Sequence, residues 1–591
     1  MKRYLITTAD EDTWKFDRPV IFLGEWCLLY DRKHIWQDMD AVVACPYGLA
    51  VESKDADFSN ARDLESRLFA DLYNVLNQYH QVKYSERFWK IILGHWLRRC
   101  VDVVFNRVRT LEECANAYQL SGISVYDPGS YSLMTSDSYS SILAFDDDVW
   151  NHELNVRILD ILGIGFGDRD IVMSPKSRRF RVGTLGGNNR SSLSKKLFKR
   201  FIAPIRTLSK FFVRDSDSFI LNSYLPKHVE FKLQIALGQF PQFWSSPKLD
   251  EISDCADLLK RRMLSKEFMK DSNDSVEMVL RSLLFEMIPI CYLEGFNKLN
   301  YQVKNLPWPK SPKFIFTSNN FDTDDLFKLW AAKKIENGSK YYLGQHGNNY
   351  GTHRYITSTI EETTSDKFLT WGWTDGLVQH TPAFILKLPK NITLQRNSNQ
   401  YILLFELHCN HRFNLWDCIY EFKKYFEDQV SFVCALAPDL RNKIIVRLHS
   451  AHRYFKWSEI ARWQSIDPTL HIDSGSDNAK LKMKKSRLVV YSYDSTGILE
   501  TLSQNVPTIA FWPNGLSHLR DNAKTYYQML VDVGILHLSP ESAASKVEEV
   551  WGDVDGWWMD NNVQVARKIF CDRFARNSKN PIKDLMNIFT T

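Results

Sequence analysis

From residue 401 onward the chain repeats one pattern: a short apolar run, a polar turn, then a helical stretch. YILLF (401–405) precedes a helix near 415–428, and KIIVRLH (443–449) follows. RLVVYS (487–492) leads to a helix at about 496–504, and PTIAFW (507–512) comes next. Continuous apolar runs separated by helices predict strands covered on both faces, as in a parallel sheet with helical crossovers. The same alternation starts the chain, with RYLITT (3–8), PVIFL (19–23) and AVVAC (41–45). Residues 60–118 then keep apolar side chains at helical spacing, with Ser85 before Glu86 as a cap. Further on, KFIFTS (313–318) and YYLGQHG (341–347) flank a helix expected at 324–336. The expected class is α/β. The Pro- and Asn-bearing stretch 376–400 is the best domain boundary.

Composition narrows the function. Hydrophobic residues make up 44% and charged residues 25% of 591, which supports a sizeable core and excludes wholesale disorder. The net charge of +5 is too small over this length to suggest a nucleic-acid partner. The ten cysteines include no CxxC pair, which argues against a zinc ribbon and fits a reducing compartment. The start, MKRYLITTADEDTW, turns acidic where a signal peptide needs an apolar run. No stretch approaches the roughly 18 apolar residues of a membrane span, so a cytoplasmic protein is expected. Residues 191–214 carry Lys195, Lys196, Lys199, Arg200, Arg206, Lys210 and Arg214 with no acid. Such a basic amphipathic stretch suits an anionic membrane surface, and equally a helix packed on the protein with its cations in solvent.

Three motifs carry chemistry. After RLVVYS comes the polar turn Ser492, Asp494, Ser495, Thr496 and Gly497, and then a helix. Helix N-termini at the carboxyl ends of parallel strands favour phosphate, and Glu500 one turn in suits a sugar or ribose hydroxyl. The same residues would also serve as an ordinary N-cap. Arg447 and His449 fall on one face of the preceding strand, a guanidinium and an imidazole suited to phosphate oxygens. In LGQHGNNYG, His346 sits at a strand end with Gln345, Gly347 and Tyr350 around it, where it would serve as general base. Trp26, Arg87, His95 and Asp148 belong to polar-aromatic clusters suited to an acceptor, although aromatic-rich helices are usually core. Walker, GxGxxG, HExxH and GxSxG motifs are absent.

TTADEDTWKFDRPVIFLGEWC, SERFWKIILGHWL, DDDVWNHELN, QHGNNYG and YSYDSTGILETL together resemble transferases encoded in bacterial O-antigen and surface-carbohydrate clusters. The C-terminal half also resembles GT-B sugar transferases more widely. Arg447-x-His449 followed by Ser495-Thr496-Gly497-x-x-Glu500 is similar to the phosphate-holding arrangement of CMP-sugar enzymes, which often have His-Pro where this chain has His449-Ser450. His346-Gly347 with Arg447-x-His449 also looks like the pair in teichoic-acid-type glycerophosphotransferases.

The resemblance implies a GT-B-like fold of two Rossmann-like domains across a cleft. Residues 1–385 would form the acceptor-side domain with a large helical insertion. Residues 386–560 would bind the nucleotide donor, and 561–591 would cross back as a C-terminal helix. The implied activity is glycosyl transfer from a nucleotide-activated sugar, a CMP-linked acidic sugar among the donors, to a lipid-linked or lipopolysaccharide glycan. A CDP-linked phosphopolymer synthase and a non-catalytic assembly protein are the alternatives. His346 is the expected base; a retaining reaction would instead need a carboxylate such as Glu25, Glu294 or an Asp of 322–325. Arg447, His449, Ser492, Asp494, Ser495, Thr496, Gly497 and Glu500 would hold the donor. No cofactor or metal is expected, and the chain would act in the cytoplasm at the inner face of the inner membrane.

Overall fold

The structure is a computed structural model that describes residues 1–48, 52–165, 167–173, 212–250, 256–356, 358–387, 401–407, 422–454, 456–512 and 515–590. Most of the basic stretch 191–214 and of the 376–400 boundary, and the first turns of the helix expected near 415, lie outside them.

Among the described residues every strand pairs in parallel. The first sheet holds β1 (Arg3–Ile6), β2 (Val20–Phe22), β3 (Ala41–Val43), β4 (Leu120–Tyr126) and β5 (Asp168–Val172) in the order β3-β2-β1-β4-β5. The second holds β6 (Phe219–Ile220), β7 (Phe314–Thr317), β8 (Lys340–Gly344), β9 (Lys367–Thr370) and β10 (His380–Pro382), laid out in sequence order. The third holds β11 (Ile402–Phe405), β12 (Ile444–Arg447), β13 (His471–Asp473), β14 (Leu488–Tyr491), β15 (Thr508–Phe511) and β16 (Leu536–His537), ordered β13-β12-β11-β14-β15-β16. The α/β class therefore holds, with two sheets in the stretch that the sequence suggested as one N-terminal domain. In the third sheet the strand order reverses between β11 and β14, which opens a crevice at their carboxyl ends where ligands of such sheets bind.

One helix explains why two sheets fit in the N-terminal part. Glu86–Ala117 starts at the Ser85 cap, whose hydroxyl accepts from the Phe88 amide at 3.2 Å. It is buried along much of its circumference, as a helix enclosed by other elements must be. It packs on the first unit's helix Asp148–Ile161 and on the second unit's helix Asp325–Glu336. Ion pairs fix it on the second side, where Arg99 grips Asp322 at 2.6 and 2.9 Å. On the first side, Arg107 donates to Asn151 at 3.0 Å.

The third unit touches both others. Residues 352–354 and 518–520 form a short antiparallel bridge, with Arg354 N donating to His518 O at 2.9 Å and Arg520 N to Thr352 O at 2.8 Å. Toward the first unit, Lys456 pairs with Asp148 at 3.0 Å and Arg462 covers the Tyr30 ring at 4.4 Å. The C-terminal helix Pro581–Thr590 lies on the second sheet, with Phe589 stacked on Tyr342 at 5.6 Å and Leu585 fully buried. Among the described residues no helix is long and apolar enough to cross a membrane.

Because Leu585 fills the seam between this helix and the second sheet, Leu585→Ala should destabilise the chain by about 2–5 kcal/mol. The effect should appear as a lower midpoint in urea unfolding.

Candidate functional site

The loop after β8 is shaped by one side chain. Gln345 accepts from the Trp371 amide and the Trp373 indole, both at 2.8 Å, and donates to Gly347 O at 2.9 Å. Gly351 closes the loop at φ +71° under the Trp373 ring, where a Cβ would lie 2.4 Å from a ring carbon. These contacts hold residues 346–350 as a rigid projection. They also correct the expectation for Gln345: its buried amide builds the loop instead of meeting an acceptor.

His346 begins a buried chain of polar groups. Its Nδ1 lies 3.1 Å from the Tyr350 hydroxyl, which donates a short hydrogen bond to Glu361 Oε1. Glu361 Oε2 is 3.5 Å from His95 Nε2, and His95 Nδ1 is 3.9 Å from Asp322, the partner of Arg99. Burial lowers the His346 pKa from its ordinary value, against the pull of Glu361 and Asp322, so the imidazole is neutral at pH 7. Burial pushes His95 down to about 4, also neutral. Burial opposes ionisation of Asp322, yet Arg99 and His95 hold it well below the usual carboxylate range. Tyr350 is driven far up by burial and Glu361, so it keeps its proton.

This projection meets the third sheet's switch point. The Asn348 amide donates to Thr496 Oγ1 at 2.9 Å, and a Cβ on Gly347 would come within 3.1 Å of the same oxygen. Thr496 opens the helix Thr496–Ser503, whose first turn is capped by Ser495 accepting from the Ile498 amide. Thr496 and Gly497 are half-exposed at the helix's positive end, beside the loop that carries the imidazole. Gly497 has a packing reason as well, since a Cβ there would meet the Tyr491 ring at 2.5 Å. Glu500 pairs with Lys387 at 2.9 Å, and Lys387 in turn adds to the lowering at His346.

Other expected donor residues build the fold. Arg447 is buried against Asp473 and also donates to the carbonyls of Gly475 at 3.3 Å and Asp477 at 2.6 Å. It therefore fixes the turn after β13 and does not present its guanidinium to a phosphate. Asp494 accepts from Asn348 Nδ2 at 2.6 Å and from the Tyr527 hydroxyl at 3.3 Å, and pairs with His518 at 3.2 Å. It is a clamp on the loop, not a ligand group. The Ser492 hydroxyl is 2.8 Å from the Tyr425 hydroxyl and donates to Phe405 O at 3.1 Å, which ties β14 to β11. His449 is exposed at the end of β12, where its Nδ1 accepts from the Ala451 amide at 3.2 Å.

The acceptor-side and carboxylate candidates divide in the same way. Tyr350 and His95 join the His346 chain, and Gly347 lies on Thr496. Trp26 is core, its indole donating to Thr7 O at 3.0 Å. Arg87 holds Thr364 O at 2.7 and 2.9 Å, and buried Asp148 pairs with the exposed Lys456. Glu294 is chelated by Arg261 at 2.7 and 2.8 Å, and burial notwithstanding, that guanidinium holds its pKa low. Glu25 lies 3.6 Å from Lys423. Neither carboxylate belongs to the His346 chain, so the nucleophile role proposed for them has no geometric support. Asp322 does belong, but its bidentate pair with Arg99 assigns it to positioning.

Glu361, Asp322, Arg99, Asn348, His518 and Lys387 complete the site without having been picked individually from sequence. The one available signal was the capping box Thr359-x-x-Glu362, which places a short helix and its acids next to QHGNNYG. Among the described residues no group of His, Cys, Asp and Glu side chains could hold a metal ion.

A sequence profile of the family described as LIC12162 family transferase matches residues 3–589. No curated protein matches the chain. Among solved structures, a variant of the wall teichoic acid polymerase TagF aligns at 11% identity and TM-score 0.33, over 68% of this chain and 98% of its own. The spinosyn rhamnosyltransferase SpnG aligns at 10% identity and TM-score 0.31, over 64% and 100%. A UDP-GlcNAc 2-epimerase of Methanocaldococcus jannaschii, in complex with UDP-GlcNAc and UDP, aligns at 12% and 0.31, over 60% and 98%.

If Arg447 acts through the fold, Arg447→Met removes the nearest cation from buried Asp473 and leaves it only Lys482 at 3.9 Å. Thermal or denaturant unfolding should then show a loss of about 3–5 kcal/mol before any ligand is added.

Proposed function

Because the chain belongs to the LIC12162 transferase family, we propose that it is a glycosyltransferase, moving a sugar from a nucleotide-activated donor to a hydroxyl of a surface-glycan acceptor. The observation that carries this reading is the 2.9 Å hydrogen bond from Asn348 N to Thr496 Oγ1. It sets a neutral imidazole and a helix N-terminus side by side, the two groups that such a transfer needs. In this reading the donor's phosphate lies at Thr496 and Gly497, where the helix dipole offsets the charge that grows as the bond to the sugar breaks. His346 takes the proton of the acceptor hydroxyl as its oxygen attacks the anomeric carbon. Lys387, paired with Glu500, supplies a positive charge near His346.

The acceptor class follows the resemblance: a lipid-linked or lipopolysaccharide glycan of the O-antigen type. The basic sequence 191–214 would bring the chain to the anionic inner face of the membrane that carries it.

A thermal-shift screen against CMP-, UDP-, GDP- and CDP-linked sugars and polyols tests the donor. A true donor at 100-fold excess over its dissociation constant should stabilise the chain by about 2.7 kcal/mol. No stabilisation by any of them, or a phosphodiester product by phosphorus NMR, would contradict the reading. His346→Ala should keep the shift while lowering kcat by about 10²–10⁴-fold. The His346 pKa is lowered, so the base is active above that value and is lost as pH falls through it. The kcat/KM profile, which reports the free enzyme, should therefore show an acid limb lying below pH ~6.5.

A further inference from the structure

A neutral imidazole works as a base only through the nitrogen that lacks the proton, and its partners decide which nitrogen that is. A tyrosine hydroxyl has one proton to donate and lone pairs with which to accept. Tyr350 gives its proton to Glu361 Oε1, and the Tyr350 hydroxyl oxygen lies 3.1 Å from His346 Nδ1. With the hydroxyl proton committed, the contact to His346 is satisfied only if Nδ1 carries a hydrogen and donates it to Tyr350.

We propose that Tyr350 and Glu361 are positioning residues that hold His346 as its Nδ1–H tautomer, leaving the Nε2 lone pair as the base. The proposal deepens the transferase reading, on which its chemistry rests, but its geometry does not depend on any substrate. The surroundings support a fixed carboxylate at the far end. Glu361 is buried, Arg98 and Arg99 on the neighbouring helix both feel its charge, and His95 lies 3.5 Å from its second oxygen. Phe321 packs on both imidazoles, with ring centroids 5.7 Å from His346 and 5.4 Å from His95. The charged groups acting on His346 are Glu361 from the helix Ile360–Thr364, Asp322 from the turn after β7 and Lys387 from the segment after β10.

During transfer the acceptor's proton moves to Nε2 and its oxygen bonds to the anomeric carbon. The bond from that carbon to the leaving phosphate oxygen breaks, its electron pair going to the phosphate. The resulting imidazolium keeps Nδ1–H on Tyr350, and the negative charge of Glu361 stabilises it through the hydroxyl. The arrangement follows the logic of a nucleophile–histidine–carboxylate triad, with a phenol between the imidazole and the carboxylate.

Nitrogen-15 NMR of the intact chain, labelled at histidine and assigned by comparison with His346→Gln, tests this without a substrate. The parent protein at pH 7 should show a pyrrole-type signal for Nδ1 and a pyridine-type signal for Nε2 of His346. The reverse assignment in the parent overturns the proposal, whether or not Tyr350→Phe and Glu361→Gln fold. Tyr350→Phe removes only the hydroxyl, so the Nε2–H form favoured by isolated imidazoles should grow. Retention of the parent pattern in that variant would also overturn it. With the donor found by thermal shift, Tyr350→Phe and Glu361→Gln should each lower kcat at least tenfold with KM little changed, and an equal loss in KM alone would mark a merely structural role. A correct tautomer in a parent protein that transfers no sugar would leave this inference standing and remove the glycosyl reading instead.

Discussion

One contact between distant parts of the sequence organises the rest: the Asn348 amide on the Thr496 hydroxyl, 148 residues apart. It is not isolated. Asn348 also reaches Asp494 through its side chain, and Asp494 is held by His518 and Tyr527. Backbone bonds between 352–354 and 518–520 lie alongside. A buried carboxylate with several donors costs far more to strand than to keep, so the clamp sets the spacing between the imidazole loop and the helix start. The transfer proposed above depends on that fixed spacing, because it needs the groups on either side to meet one ligand.

Behind the loop the constraint passes to the long helix Glu86–Ala117. Its apolar surface packs among helices of both units, and that placement brings His95 to Glu361 and Arg99 to Asp322. Arg99 keeps Asp322 ionised, and Asp322 faces His95, which is neutral because it is buried. The polar chain that ends at His346 is thus supported by the packing that makes the fold. Sheet order contributes separately: the reversal beside β11 puts Thr496 at a crevice, whereas the second sheet, laid out in order, supplies His346 from a strand end.

Strands and helices were legible because parallel strands covered on both faces read as unbroken apolar runs, and RLVVYS, KIIVRLH and KFIFTS became β14, β12 and β7. The sequence drew notice to His346 and Thr496 because each stands in a glycine-bearing polar turn after an apolar strand, although Gly497 proves also to be required by the Tyr491 ring. Arg447 and Glu294 misled for one shared reason. A sequence displays a charge without displaying its partner, and Asp473 and Arg261 lie 26 and 33 residues away. Glu361 was missed for the opposite reason: in IEETT it looks like an ordinary acid of a capped helix, and only the fold turns it toward Tyr350. That the strands before residue 386 divide between two sheets was hidden because local pattern predicts strands, not which strands pair.

The central claim is that the loop at 346–350 and the helix start at 495–498 form a single ligand site. Hydrogen exchange by mass spectrometry, with and without the nucleotide-linked compound that raises the melting temperature most, tests it directly. The account predicts that both segments gain protection together and to a similar degree. Protection of one segment alone, or of neither while another part of the chain is protected, would contradict it.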